Sequence, residues 1–72
     1  MTIIKIKQLR NNKGLTTRQL SERSGISKSQ ITRIENNQQM PTIDTLCRIA
    51  EALNVPVEET YEYHHIEKPQ SG

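Results

Sequence analysis

The chain predicts an all-α domain built around two short helices joined by a tight turn. Three observations predict it. Aliphatic residues recur at helical spacing in several segments. Thr16 with Gln19, and Ser27 with Gln30, are capping-box patterns that each open a helix. Gly25 stands between those two helices, where a sharp turn needs a residue free to take a positive φ.

The elements follow in order. Ile3 to Asn12 reads as a first helix, with Ile6 and Leu9 on its inner stripe and Ile3 a candidate to extend it. Gly14 is placed to cap its end. Thr16 opens a second helix that runs to about Ser24, and Ser27 opens a third that runs to about Asn36. Asn37 tolerates the left-handed conformation that ends helices, and a polar loop follows. Thr42 caps a fourth helix with Asp44 in its first turn. Ile43, Leu46, Ile49, Ala50 and Leu53 form its inner stripe and Asn54 ends it. Pro56 pre-sets a short fifth helix from about Val57 to Tyr61. The domain is thus expected over residues 1–61, with 62–72 as a mobile tail. The alternation of Tyr61, Tyr63 and His65 also admits a short strand, paired with Thr2-Ile3-Ile4 or with a second subunit; the tail is the preferred expectation.

Composition narrows the class. Seventy-two residues make one small domain, and with Tyr61 and Tyr63 as the only aromatics its core must be aliphatic. A single cysteine, Cys47, excludes an internal disulfide; its spacing from Ile43 and Ala50 places it beside the inner stripe as a core or interface residue. No apolar stretch approaches the roughly 20 residues that span a bilayer, and the start lacks the apolar region of a signal peptide, so a soluble, cytoplasmic protein with no membrane partner is expected. Net charge is +2, unevenly spread. Residues 1–40 carry eight Lys or Arg against two carboxylates, whereas 41–72 carry two against six. The basic half suits a polyanion.

The helix pair concentrates that chemistry. Leu20, Ile26, Ile31 and Ile34 face inward, and Ser21 is small enough to let the two helices approach. Its hydroxyl is expected to bond to a backbone carbonyl one turn earlier. With Ile31 and Ile34 inward, the 100° step per residue centres the outer face of the third helix on Ser29 and Asn36, flanked by Thr32 and Arg33. Lys28 lies at its rim. That face is polar and basic. Arg33 and Lys28 can donate to guanine O6 and N7, and Ser29 and Thr32 to bases or phosphate. These four are the candidate base contacts. Thr17 and Arg18, at a helix N-terminus, together with Ser27, Asn36, Asn37 and Gln38, are candidate phosphate contacts.

With those residues assembled, the chain resembles the lambda-repressor-like, or XRE, family of helix-turn-helix transcriptional regulators. The likeness rests on Ile6-Lys7-Gln8-Leu9-Arg10, Gly14-Leu15-Thr16, Leu20-Ser21, Gly25-Ile26-Ser27, Ile31 to Asn36, Pro41-Thr42, Leu46 to Leu53 and Asn54 to Val57. It implies a five-helix domain that binds a pseudo-palindromic operator as a homodimer, with the third helix in the major groove. It also implies a structural ion pair between Arg10 and Glu35. The sequence departs from the family pattern in three places. Thr17 stands where a Gln often contacts phosphate, Ser21 where Ala is usual, and Asn36-Asn37-Gln38-Gln39 where Asn-Gly and a cation are common.

Two functions compete at this point. One is a sequence-specific double-stranded-DNA-binding regulator, a repressor, with Val55, Val57 and Tyr61 as its dimer contact. The other is an antitoxin or interaction module that meets a protein partner through the acidic half. No phosphate-cradling glycine loop or paired carboxylates suggest an enzyme. His64 and His65 are adjacent and point different ways, which does not suit a metal site. No cofactor is implied.

Overall fold

The computed structural model describes residues 1–65. Four α-helices pack around one aliphatic core: α1 (Ile6–Asn12), α2 (Thr17–Ser24), α3 (Lys28–Glu35) and α4 (Ile43–Leu53). A 3₁₀ turn (Val57–Thr60) follows, and two short strands, β1 (Thr2–Ile4) and β2 (Tyr61–Tyr63), pair antiparallel. The core is Ile6, Leu15, Leu20, Ile26, Ile31, Ile34, Leu46, Ile49 and Leu53. α2 lies against both α3 and α4.

Local chemistry sets most boundaries. Thr16 forms a complete capping box: its side chain accepts from the Gln19 N–H, and the Gln19 side chain accepts from the Thr16 N–H. Ser27 and Thr42 cap α3 and α4 by accepting from Gln30 and Thr45. Gly14 (φ 68°), Gly25 (φ 74°), Asn37 (φ 60°) and Asn54 (φ 58°) occupy the left-handed region, one after each helix.

The structure corrects the all-α, five-helix expectation at both ends. Helix α1 begins at Ile6, not Ile3, because Thr2, Ile3 and Ile4 are strand residues. Thr2-Ile3-Ile4 is a β-branched run with no cap before it, and it finds partners at the far end of the chain. Ile3 consequently stays 40% exposed. The expected fifth helix is a single 3₁₀ turn that ends at Thr60, and Tyr61 belongs to β2. Glu62 and Tyr63 are part of the folded body, not of a tail. The remainder of the expected tail, 66–72, lies outside the described residues.

Two further corrections fall on α4. Ile43 is 79% exposed and outside the inner stripe, whose buried members include Thr45, Leu46, Ile49, Ala50 and Leu53. As the first residue of the helix, Ile43 has no preceding turn to lie against. Cys47 is exposed and not a core residue; it lies one turn on from Ile43, on the same outer face.

Candidate nucleic-acid interface

The turn between α2 and α3 is held by side chains as well as by Gly25. The Ser21 hydroxyl donates to the Ile26 carbonyl at 2.6 Å, across the turn and not back along its own helix as expected. The Ser24 hydroxyl accepts from the Ile26 N–H at 3.2 Å. Leu20, Ile26, Ile31 and Ile34 are buried as the spacing predicts. These contacts fix how α3 leaves α2, and therefore which of its side chains face solvent.

Lys28, Ser29, Thr32 and Arg33 are all exposed on α3, alternating with buried Ile31 and Ile34. Among the described residues, neither Lys28 nor Arg33 is within ion-pair distance of a carboxylate, so both charges are open to a ligand. The expected phosphate contacts lie in two groups. Thr17 is half-buried and Arg18 exposed in the first turn of α2, whose leading N–H groups have no intrahelical acceptor. Arg18 also meets Glu22 at 3.4 Å in an exposed pair that contributes little. Ser27, Asn36, Asn37 and Gln38 are exposed. The Ser27 oxygen accepts the α3 cap bond, which leaves its hydroxyl proton free to donate. The loop after α3 is itself braced, with the Gln38 N–H bonded to the Arg33 carbonyl at 2.8 Å.

Behind this surface lies the Arg10–Glu35 pair. Two parallel bonds join them, Nε to Oε2 at 2.8 Å and Nη2 to Oε1 at 3.1 Å, with the side chains 11% and 5% exposed. Nη1 of Arg10 makes a third bond, to the Leu15 carbonyl at 2.8 Å, a contact that no local sequence signal announces. One guanidinium thus ties α1, the α1–α2 loop and the end of α3 together. The candidate dimer residues are half-buried and packed against the core, Val55 and Val57 from the segment after α4 and Tyr61 from the start of β2.

A rigid helix pair that displays a polar, cationic second helix defines a protein of the helix-turn-helix class. The chain belongs to the lambda-repressor-like, XRE-type helix-turn-helix family: the family profile described as "Helix-turn-helix" matches residues 6–59. It is similar to the HTH-type transcriptional regulator SutR of Escherichia coli (strain K12), 45% identical over 51 residues that cover 71% of this chain and 29% of SutR. It is also similar to two proteins of Bacillus subtilis (strain 168). The HTH-type transcriptional regulator SinR is 36% identical over 85% of this chain and 56% of its own length. The HTH-type transcriptional repressor RghR is 41% identical over 74% of this chain and 40% of its own. The chain therefore spans less than two thirds of these relatives. Among solved structures, the restriction-modification controller protein C.AhdI from Aeromonas hydrophila superimposes with a TM-score of 0.76 at 27% identity, over 78% of this chain and 85% of that one. No described helix is long and apolar enough to cross a membrane.

Proposed function

We infer that the protein is a sequence-specific DNA-binding transcriptional regulator that works in the cytoplasm as a homodimer on a pseudo-palindromic operator. The observation that carries this reading is the exposed face of α3, with two cations that no described carboxylate neutralises. Lys28, Ser29, Thr32 and Arg33 read base edges in the major groove. Thr17, Arg18, Ser27, Asn36, Asn37 and Gln38 hold the flanking phosphates. Val55, Val57 and Tyr61 form the dimer contact, which sets two copies of α3 about 34–36 Å apart. A repressor role is supported by the likeness to RghR, itself named a repressor. The relatives are named as regulators of transcription, which favours this reading over an antitoxin or other protein-interaction module.

Selection of bound duplexes from a random pool tests it. Enrichment of two inverted half-sites about one helical turn apart is expected. No enrichment at moderate salt overturns DNA recognition, and enrichment of an unrepeated half-site overturns the dimer.

A further inference from the structure

The β-ribbon ends in two edges, and they differ in chemistry. In the antiparallel register Ile3 lies opposite Glu62, with Thr2 opposite Tyr63 and Ile4 opposite Tyr61. Met1 and His64 exchange two bonds, from the Met1 ammonium to the His64 carbonyl (2.8 Å) and from the His64 N–H to the Met1 carbonyl (2.7 Å). At the other end the Lys5 N–H donates to the Thr60 carbonyl at 2.8 Å. Hydrogen-bonded and non-bonded pairs alternate in such a ladder. Met1, Ile3 and Lys5 therefore turn their backbone groups toward β2, and Thr2 and Ile4 turn theirs to the free edge. Among the described residues no other strand lies there.

Edges of this kind are ordinarily blocked by charge. That of β2 is, since Glu62 sits at its centre. Thr2, Ile3 and Ile4 carry none. Beside β1 runs a groove of about 490 Å³ lined by Met1–Ile4 and Asn37–Met40, with no charged side chain on its walls. Three of the exposed large apolar residues, Met1, Ile3 and Met40, line it.

We propose that the free edge of β1 pairs with β1 of a second copy of this chain, antiparallel about Ile3, to make one four-stranded sheet. Charge at the strand centres favours this arrangement over β2 against β2, and the flanking Lys5, which falls opposite Met1 of the other copy, is already paired with Glu62. Pairing β1 with itself bonds Thr2 to Ile4 of the other copy twice over and sets Ile3 against Ile3 in the close, non-bonded position. Pairing β2 with itself would set Glu62 against Glu62 there, two like charges at the shortest separation. Tyr61 lies opposite Ile4 in the ribbon, on the side of β1 away from this edge, so the two contacts use different strand edges. Three residues a side bury far less than a large interface does, so the contact is weak and becomes populated as concentration rises.

Disulfide trapping tests it in a Cys47→Ser background, because Cys47 is itself exposed. Facing residues of a non-bonded antiparallel pair are about 4.5 Å apart at Cα, within disulfide range. Under mild oxidation Ile3→Cys should form a covalent dimer at least ~10-fold faster than Asn12→Cys, an exposed position off the ribbon. The unaltered protein supplies a second measurement: exchange of the Thr2 and Ile4 amides slows as concentration rises, while that of Tyr63 does not. A trapping rate equal to that of Asn12→Cys, or exchange at Thr2 and Ile4 independent of concentration, overturns the proposal. Either result would leave the edge to an extended segment of some other protein. Neither measurement uses DNA, so the proposal and the DNA reading fail separately.

Discussion

Arg10 illustrates how much one side chain holds. Its three bonds are made in a nearly water-free setting, so removing it strands the Glu35 carboxylate beneath α3. Arg10→Ala should cost about 3–5 kcal/mol, much of what a domain of this size has. Arg10→Met with Glu35→Leu should recover most of that, since no charge is then left buried. Urea midpoints of the two variants check both statements; a single substitution costing under about 1 kcal/mol would contradict the role. Among the described residues Arg33 has no such partner, and Arg33→Ala should leave stability unchanged. In exchange it should relax discrimination at one base position by about 1–3 kcal/mol, measured against a panel of operator variants. The Arg10–Glu35 pair was readable from the family pattern, and the exposure of Arg33 from helical periodicity. The Ser21 bond was not. An intrahelical acceptor was the local rule, but Gly25 folds the chain back and brings the Ile26 carbonyl closer.

At the level of elements, the ribbon is where charge and backbone act together. Lys5 Nζ and His64 Nε2 each lie 3.2 Å from the Glu62 carboxylate. The His64 hydrogen bond first, and then the bond and charge of Lys5, hold that carboxyl below its ordinary value. The folded state thus binds the proton less well than the unfolded one. The contact contributes in full above the ordinary carboxylate value and is lost as pH falls through the lowered one. Protection of the Lys5 amide, whose N–H closes the ladder onto Thr60, should fall relative to its intrinsic exchange rate in that acid window. In Glu62→Gln that acid loss of protection should disappear; its persistence would place the titration elsewhere. Helices α2, α3 and α4 were legible to within a residue because their caps and stripes are local signals. The ribbon is only weakly legible because its two strands lie at opposite ends of the chain, and three-residue strands carry almost no period. The same pairing accounts for the error at α1, where β-branched residues of apparently helical spacing took another partner.

Over the whole molecule, charge and shape divide the work. The basic half carries the candidate DNA surface, yet the loop after α3 reaches it with amides alone: Asn36, Asn37, Gln38 and Gln39. Binding should therefore depend on salt less steeply than a cationic loop would make it. Gln38→Lys should tighten binding at low salt and steepen the plot of log affinity against log salt by about 0.9, if the new ammonium meets a phosphate. An unchanged slope would remove that position from the phosphate list. How far charge could be mapped in advance was limited, since Lys5 counts with the basic half but is bound to Glu62 of the acidic one. That contact, across 57 positions, also bears on how the domain assembles. Helices α2, α3 and α4 find their partners over short stretches of chain and can dock early. The ribbon must instead bring the two ends together, and the entropy of closing so long a loop falls only after the helices have shortened the distance. It is the clasp that shuts last and opens first, so the ends can part and rejoin many times within the life of one folded core.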